Sequence, residues 1–129
     1  MRLSHFYINT ILLLSLCLLV KGQVDIDPPT APVFTMVSVQ PETGKTALTW
    51  NPSASPDVAG YVVYNFKNGG GFAIDTIWNP FAVTYLYSGS FSSYISESYV
   101  VAAIDSSGNI SPLSNELTTI FSTAQIDTC

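Results

Sequence analysis

The residue types that carry most enzyme chemistry are almost missing from this sequence of 129 residues. Its single histidine is His5, its only arginine is Arg2, and its two cysteines are Cys17 and Cys129. Positions 23 to 128 therefore contain no imidazole to activate a serine or threonine, and no thiol nucleophile. Histidine and cysteine are also the ligands of most zinc sites. We expect a chain that is not an enzyme, with no catalytic residue, no cofactor and no metal.

The nine carboxylates are scattered singly over predicted loops and strand ends, so we interpret them as solvated surface groups rather than a glycosidase pair.

The spacing of one group of polar residues resembles that of a calcium-binding loop. From Asp105 as position 1, Ser107, Asn109 and Glu116 fall at positions 3, 5 and 12. Ile110 stands where such a loop requires glycine. The sequence therefore favours a β-turn in which Asp105 and Asn109 bond to local backbone.

Six aromatic residues are crowded into one stretch and could form a binding patch. Exposed aromatic rings stack on sugar faces or anchor protein interfaces. In a β-sandwich about half of such residues face the core instead, so packing is the alternative interpretation. The six residues are Trp78, Phe81, Tyr85, Tyr87, Phe91 and Tyr94.

The charge of the chain excludes two classes of partner. The formal net charge is −5, and the chain that remains after removal of residues 1–22 has two lysines against nine acids, a charge of −7. Binding to nucleic acid or to an anionic membrane needs clustered lysine and arginine. Lys45 and Lys67 form no cluster, so we expect neither partner.

The N-terminal segment has the pattern of a secretory signal peptide. Arg2 precedes the apolar run Ile11–Val20, which is too short to span a bilayer and has the length of a signal core. Small residues before Gln23 predict cleavage between Gly22 and Gln23. We therefore expect a signal helix over residues 1–22, a secreted or cell-surface protein, and no membrane span after cleavage. An uncleaved anchor helix and a lipid on Cys17 are the alternatives.

Beyond this segment the elements that must position any site are β-strands. Short β-branched and aromatic runs alternate with glycine, proline, asparagine and serine clusters, and no helical spacing of apolar residues persists. Residues 23–31 read as an extended leader, and residues 122–129 as a linker or the start of a missing repeat. Seven strands are predicted in the domain of residues 32–121, over 33–39, 46–50, 60–65, 72–77, 84–87, 99–105 and 113–121.

Three of these strands carry motifs of a known family. Leu48–Trp50 ends on tryptophan, Gly60–Tyr64 reads Gly-Tyr-x-Val-Tyr, and Tyr99–Asp105 reads Tyr-x-Val-x-Ala-x-Asp. Over residues 29–121 the chain resembles the fibronectin type III family. The resemblance implies an all-β, seven-stranded, immunoglobulin-like sandwich, with the Tyr99 hydroxyl bonded to nearby backbone. It implies a core that contains Leu48, Trp50, Tyr61, Val63, Tyr99, Val101 and Ala103.

A narrower resemblance comes from Glu97–Tyr99, Asp105–Asn115 and Asp127–Cys129. These segments are similar to large repeat-containing surface proteins of Bacteroidota, which carry a C-terminal gliding-motility-associated sorting domain and leave the cell by type IX secretion. In that family a cysteine often stands where this chain has Ser107. The resemblance implies that this chain is a fragment of a longer surface protein.

Two short sequences are candidate glycosylation sites. Asn109-Ile110-Ser111 is an N-glycosylation sequon, which places a candidate site at Asn109. Asp75-Thr76-Ile77 resembles the O-glycosylation site of exported Bacteroidota proteins, which places a second at Thr76.

The sequence predicts a non-catalytic extracellular structural or adhesion module, at the N-terminal part of a larger protein and linked to gliding motility. Its partners are then neighbouring domains of the same longer chain. The alternatives are an accessory domain of a secreted hydrolase, and a carbohydrate- or protein-binding module that uses the aromatic patch.

Overall fold

A computed structural model describes residues 22–121 as seven β-strands joined by loops. Apart from Gly22, the predicted signal helix lies outside the described residues, as does the predicted linker with Cys129. Within the described range no helix is long and apolar enough to cross a bilayer. The all-β prediction is confirmed. The strands are β1 (Val33–Val39), β2 (Thr46–Asn51), β3 (Val58–Lys67), β4 (Gly70–Ile77), β5 (Thr84–Tyr87), β6 (Ser98–Asp105) and β7 (Leu117–Thr118).

The strands form two antiparallel sheets that pack face to face. One sheet has the order β1-β2-β5 and the other the order β4-β3-β6-β7. In the second sheet β3 and β6 pair along their length, with Tyr61 opposite Ala103 and Val63 opposite Val101. β6 is flanked by strands on both sides and is buried from Tyr99 to its end at Asp105. This is the arrangement of an immunoglobulin-like sandwich.

The turn between β3 and β4 follows directly from its sequence. Asn68 and Gly69 have φ values of 55° and 76°, and they form the two-residue connection between Lys67 and Gly70. Glycine adopts positive φ freely, and asparagine tolerates it better than most residues. Two-residue hairpin loops with positive φ at both positions match the twist of the flanking strands. The turn is therefore confined to Asn68 and Gly69, and the next two glycines, Gly70 and Gly71, already belong to β4.

The core lies between the inner faces of the two sheets. Along β2 the side chains of Thr46, Leu48 and Trp50 point inward and are fully buried, as the period of a strand requires. The Trp50 ring lies with its centroid 5.4 Å from that of Tyr61. The structure places all seven residues of the predicted core in one buried cluster, together with Phe34.

The hydroxyl of Tyr99 does not bond to backbone, so that expectation is wrong. It donates to Oε2 of Glu97 at 2.7 Å. The same carboxylate oxygen accepts from the Ser90 hydroxyl at 2.7 Å, the Ser92 hydroxyl at 2.8 Å and the Phe91 N–H at 3.0 Å. A side-chain carboxylate two residues before Tyr99 has taken the place of the backbone acceptor. It joins the β5–β6 loop to the core tyrosine.

The last strand is much shorter than the predicted range of 113–121. Pro112 has no N–H for a ladder, and serine side chains complete part of the pairing with β6 instead. The Val101 N–H donates to the Ser114 hydroxyl at 2.9 Å, and the Ala103 N–H to the Ser111 hydroxyl at 2.9 Å. Regular strand pairing is therefore confined to Leu117 and Thr118.

Candidate functional site

One end of the sandwich collects several segments that are distant in the sequence. β1 and β3 start there, and β2, β4 and β6 end there, since Val33 pairs with Asn51 and Val58 pairs with Asp105. We call this end the N-terminal pole. It consists of residues 22–32, the β2–β3 loop at 52–57, the β4–β5 loop at 78–83 and the turn at 105–109.

The segment predicted as an extended leader contacts this pole. It contains no helix or strand, but the Thr30 N–H donates to the Ser55 hydroxyl at 2.8 Å. The Thr30 hydroxyl lies 2.9 Å from that of Ser53. Pro29 is buried, and the Asp25 carbonyl accepts a hydrogen bond from the Asn109 side chain at 3.0 Å. These contacts hold residues 25–30 against the β2–β3 loop and the turn after β6.

Three carboxylates meet at the N-terminal pole. Asp25 comes from the leader, Asp57 from the β2–β3 loop and Asp105 from the end of β6, and one oxygen of each lies within 4.8 Å of the others. Asp25 and Asp57 are exposed, whereas Asp105 is buried. Carboxylate oxygens are ligands that calcium accepts. Sequence reasoning missed this cluster because its members are far apart in the chain.

Both carboxylate oxygens of Asp105 accept hydrogen bonds from the turn that follows β6. Its Oδ1 accepts from the Ser107 and Asn109 N–H groups, both at 2.8 Å, and its Oδ2 accepts from the Asn109 side chain at 2.8 Å. Burial raises the pKa of Asp105, but the hydrogen bonds from Asn109 and from the backbone outweigh it and hold the pKa below the usual value. The carboxylate therefore stays ionised while it shapes a turn around Gly108, which has a φ of 89°.

The calcium-loop spacing does not bring its residues together. Ser107 and Asn109 bond Asp105 through their N–H groups, which is the β-turn that the sequence favours. Glu116 directly precedes β7, whose Leu117 pairs with Tyr99 at the start of β6. Asp105 ends the same strand, so Glu116 lies at the opposite end of β6. The two acids cannot share one ion.

An apolar groove of about 430 Å³ lies beside the acidic cluster. Its two sides come from the β2–β3 loop and the β4–β5 loop. The Tyr61 hydroxyl accepts from the Ser53 N–H at 3.2 Å and donates to the Pro80 carbonyl at 3.4 Å, so it joins the two sides. The apolar residues that line the groove are Pro52, Pro56, Val58, Pro80 and Phe81.

The six aromatic residues do not form one patch, so this hypothesis needs correction. Trp78 and Phe81 precede β5 and lie at the N-terminal pole, with 65% and 86% of their surface exposed. Phe91 and Tyr94 follow β5 and lie at the opposite end. Tyr85 and Tyr87, on β5 itself, are half-buried and pack against the core. The strand between them separates the exposed rings into two pairs.

The two candidate glycosylation sites have different surroundings. The Asn109 side-chain nitrogen donates to the Asp25 carbonyl and to Asp105, and Ser111 of the sequon is buried. A glycan on that nitrogen would replace one N–H and remove one of these hydrogen bonds. Thr76 lies on β4, at the edge of its sheet, and is half-buried. Its N–H is bonded to the Asp75 carboxylate at 2.8 Å.

The order of the predicted antiparallel strands is the sequence-level signal that could have located part of this site. In an antiparallel sandwich the loops after β2 and β4 and the turn after β6 lie at the same pole. Asp57, Phe81 and Asp105 could therefore have been placed together from the strand assignment alone. Asp25 could not, because nothing in the leader sequence says where an extended segment lies.

Solved structures share this fold. A Fn3-like protein from Clostridium thermocellum is 24% identical, with a TM-score of 0.60, over 78% of this chain and 100% of that one. A β-1,2-glucanase from Parabacteroides distasonis is 19% identical, with a TM-score of 0.60, over 81% of this chain. A pectate lyase from Erwinia chrysanthemi is 18% identical, with a TM-score of 0.56, over 70% of this chain.

The strand order and these likenesses define the class of the described domain as a fibronectin type III-type β-sandwich. The chain spans only 14% of the glucanase and 27% of the pectate lyase, so those likenesses concern one part of each enzyme. No protein-family model matches the sequence, and no curated protein is similar to it.

Proposed function

We propose that this chain is a non-catalytic extracellular module that supplies one rigid β-sandwich to a larger secreted or cell-surface protein. The observation that carries the proposal is how the buried polar side chains are used. Each makes a hydrogen bond within the domain, as Thr46 does with Ser90 and as Thr119 does with the Glu97 N–H. The five are Thr46, Ser92, Asp105, Ser111 and Thr119.

The lack of reactive groups supports the same proposal. Residues 23–121 contain no histidine, arginine or cysteine, and a serine or threonine nucleophile needs an adjacent base. Hydrolysis assays with glycoside, ester and peptide substrates test this directly, and we expect no turnover. Turnover that one acid-to-amide substitution abolishes would overturn the proposal. Asp57→Asn is the first variant to compare, with Glu42→Gln as its control at the opposite end of the domain.

A second candidate function is an accessory domain of a secreted hydrolase or lyase. The observation that favours it is the likeness to parts of a β-1,2-glucanase and a pectate lyase. The coding sequence downstream of Cys129 discriminates between the two candidates. A catalytic domain there supports the accessory role, whereas further sandwich repeats support the structural module.

Adhesion and a link to gliding motility are finer proposals that rest on the narrower sequence resemblance alone. A C-terminal sorting domain in the complete gene would support them, together with type IX secretion. Loss of surface display in a strain that lacks type IX secretion is the expected result. Normal display in that strain would contradict it.

A further inference from the structure

We propose that the N-terminal pole is a docking surface for a polypeptide segment that combines an apolar side chain with lysine or arginine. The inference goes beyond the proposed role as a non-catalytic structural module and does not depend on it. It rests on the juxtaposition of the apolar groove and the acidic cluster. The β2–β3 loop belongs to both, because Pro56 and Val58 line the groove and Asp57 between them is one of the three clustered acids.

The apolar half of the surface is preformed. Three of its lining residues are prolines, which lose little conformational freedom when a partner binds. The Tyr61 hydroxyl bridges Ser53 on one side of the groove and Pro80 on the other. Phe81 leaves 86% of its surface exposed at the edge. A rigid groove with an exposed aromatic ring suits an aliphatic or aromatic anchor from a partner.

The charged half contains no cationic side chain among the described residues. The only cationic side chains between residues 22 and 121 are Lys45 and Lys67. Lys45 directly precedes β2 and Lys67 ends β3, so both lie at the end of the sandwich opposite the N-terminal pole. Asp57 and Asp25 are exposed beside the ionised Asp105. A lysine or arginine on the partner would complement this charge.

Charge complementarity decides between the possible occupants. A neutral glycan has no net charge, so the negative charges of the three carboxylates do not attract it. An acidic segment is repelled by them. A second copy of this chain would bring a pole of the same negative sign. A cationic segment gains both burial of its apolar anchor and attraction to the acids, and the attraction also speeds its encounter with the pole.

An NMR titration of the ¹⁵N-labelled full chain tests the proposal with three synthetic peptides. The probe is Lys-Lys-Leu-Pro-Leu-Lys-Lys, one analogue has serine in place of leucine, and the other has glutamate in place of lysine. We expect the probe to shift the backbone amide signals of the non-proline residues in 53–58 and 78–83. Each analogue should bind about tenfold more weakly or not at all. Added salt should weaken binding of the probe.

Matched variants locate the binding. Phe81→Ala and Asp57→Asn remove exposed groups and should each weaken binding about tenfold without unfolding the domain. Phe91→Ala and Glu42→Gln remove an exposed ring and an exposed acid at the opposite end. Neither of these two substitutions should change binding of the probe peptide.

Four results would overturn the proposal. The first is equal binding of the glutamate analogue, and the second is peptide shifts confined to the opposite end. The third is shifts at the pole from calcium alone or from cellohexaose alone, with none from the probe. The fourth is concentration-dependent shifts without any peptide, which would assign the surface to a second copy of the chain.

Discussion

Trp50 has the largest fully buried side chain of the domain, and its indole N–H has no hydrogen-bond partner among the described residues. An unpartnered buried donor destabilises a fold by about 1–3 kcal/mol. The packing of the indole against the core, including the Tyr61 ring, must therefore outweigh that penalty. At this position the volume of the side chain matters more than its polar atom.

We expect Trp50→Ala to lower the free energy of unfolding by about 3–5 kcal/mol, the usual loss for a large core aromatic. Trp50→Phe should lower it less, because it keeps a packed ring and removes the unpartnered donor. Urea unfolding followed by circular dichroism measures both. Equal losses for the two variants would contradict the conclusion that ring packing dominates at this position.

Glu97 couples the stability of the domain to pH. Burial raises its pKa, but the hydrogen bonds from Ser90, Tyr99, Ser92 and the Phe91 N–H outweigh it and hold the pKa below the usual value. Because the pKa is depressed in the folded state, the ionised carboxylate stabilises the fold above its unfolded-state pKa. This stabilisation is lost as the pH falls through the folded-state pKa.

We expect Glu97→Gln to lower the free energy of unfolding by about 1–3 kcal/mol near neutral pH, because charge-assisted hydrogen bonds are lost. The difference between wild type and variant should shrink as the pH falls through the acid range. Denaturant unfolding at a series of pH values measures this, with Glu42→Gln as an exposed control. A difference that stays constant with pH would show that ionisation of Glu97 does not contribute to stability.

At the scale of elements, two contacts fix how neighbouring segments approach each other. The first is at Gly60 in β3, where an added Cβ would lie 2.3 Å from the Ile77 carbonyl oxygen at the end of β4. The second is at Asn115, whose side chain accepts from the Phe34 N–H at 2.9 Å and donates to the Phe34 carbonyl at 2.8 Å. Asn115 thus links the segment before β7 to β1 of the other sheet.

We expect Gly60→Ala to destabilise the domain by at least about 1–3 kcal/mol, the range for overpacked sites. The obstacle is backbone, which cannot rotate away as a side chain can. Gly70→Ala is the matched control, because its nearest contact would be 3.7 Å away and its φ is not positive. Thermal unfolding should separate the two variants clearly. Similar melting temperatures would contradict the close approach of β3 and β4.

We expect Asn115→Ala to lower stability by about 1–3 kcal/mol, because it leaves the buried Phe34 backbone groups unpaired. Asn115→Asp should cost at least as much, since the carboxylate can accept from the N–H but faces the carbonyl without a donor. Asn51→Ala, at the exposed end of β2, is the control. Native-state hydrogen exchange at the Phe34 amide provides the local measurement. Unchanged protection there would rule out the bridge.

At the scale of the whole molecule, the ends of the sandwich differ in charge. The N-terminal pole carries Asp25, Asp57 and Asp105 with no cationic side chain among residues 22–121, whereas the two lysines of that range, Lys45 and Lys67, lie at the opposite end. The leader that contributes Asp25 begins at the predicted cleavage site. Cleavage between Gly22 and Gln23 would therefore place the new N-terminal amino group two residues before Asp25, which is one of the clustered acids.

We expect the exported protein to begin at or within a few residues of Gln23, because the apolar run before it has the length of a signal core. Mass spectrometry of protein from the culture medium or the cell surface measures the start. Gly22→Leu is the informative variant, since a large residue at the cleavage site should block processing, whereas Gln23→Asn should leave it intact. A start at Met1 in the membrane fraction would contradict the prediction.

Strand content could be predicted from the sequence because the signals are local. The period of a strand puts Thr46, Leu48 and Trp50 on one face of β2, and the dipeptide Asn68-Gly69 favours a tight turn. The last strand could not be predicted, because Leu113–Phe121 has strand-like composition throughout. Its pairing depends on where Ser111 and Ser114 meet β6, which no local pattern encodes.

The sequence by itself determined the all-β fold class, the buried face of β2 and the lack of reactive groups, since these depend on residue type and on periods of a few residues. The tertiary structure alone decided that Asp25, Asp57 and Asp105 meet, that Tyr99 bonds to Glu97, and that the aromatic stretch divides between two ends. Each of those facts depends on contacts between segments distant in the chain. Such contacts arise only when two sheets pack and bring the loops at each end together.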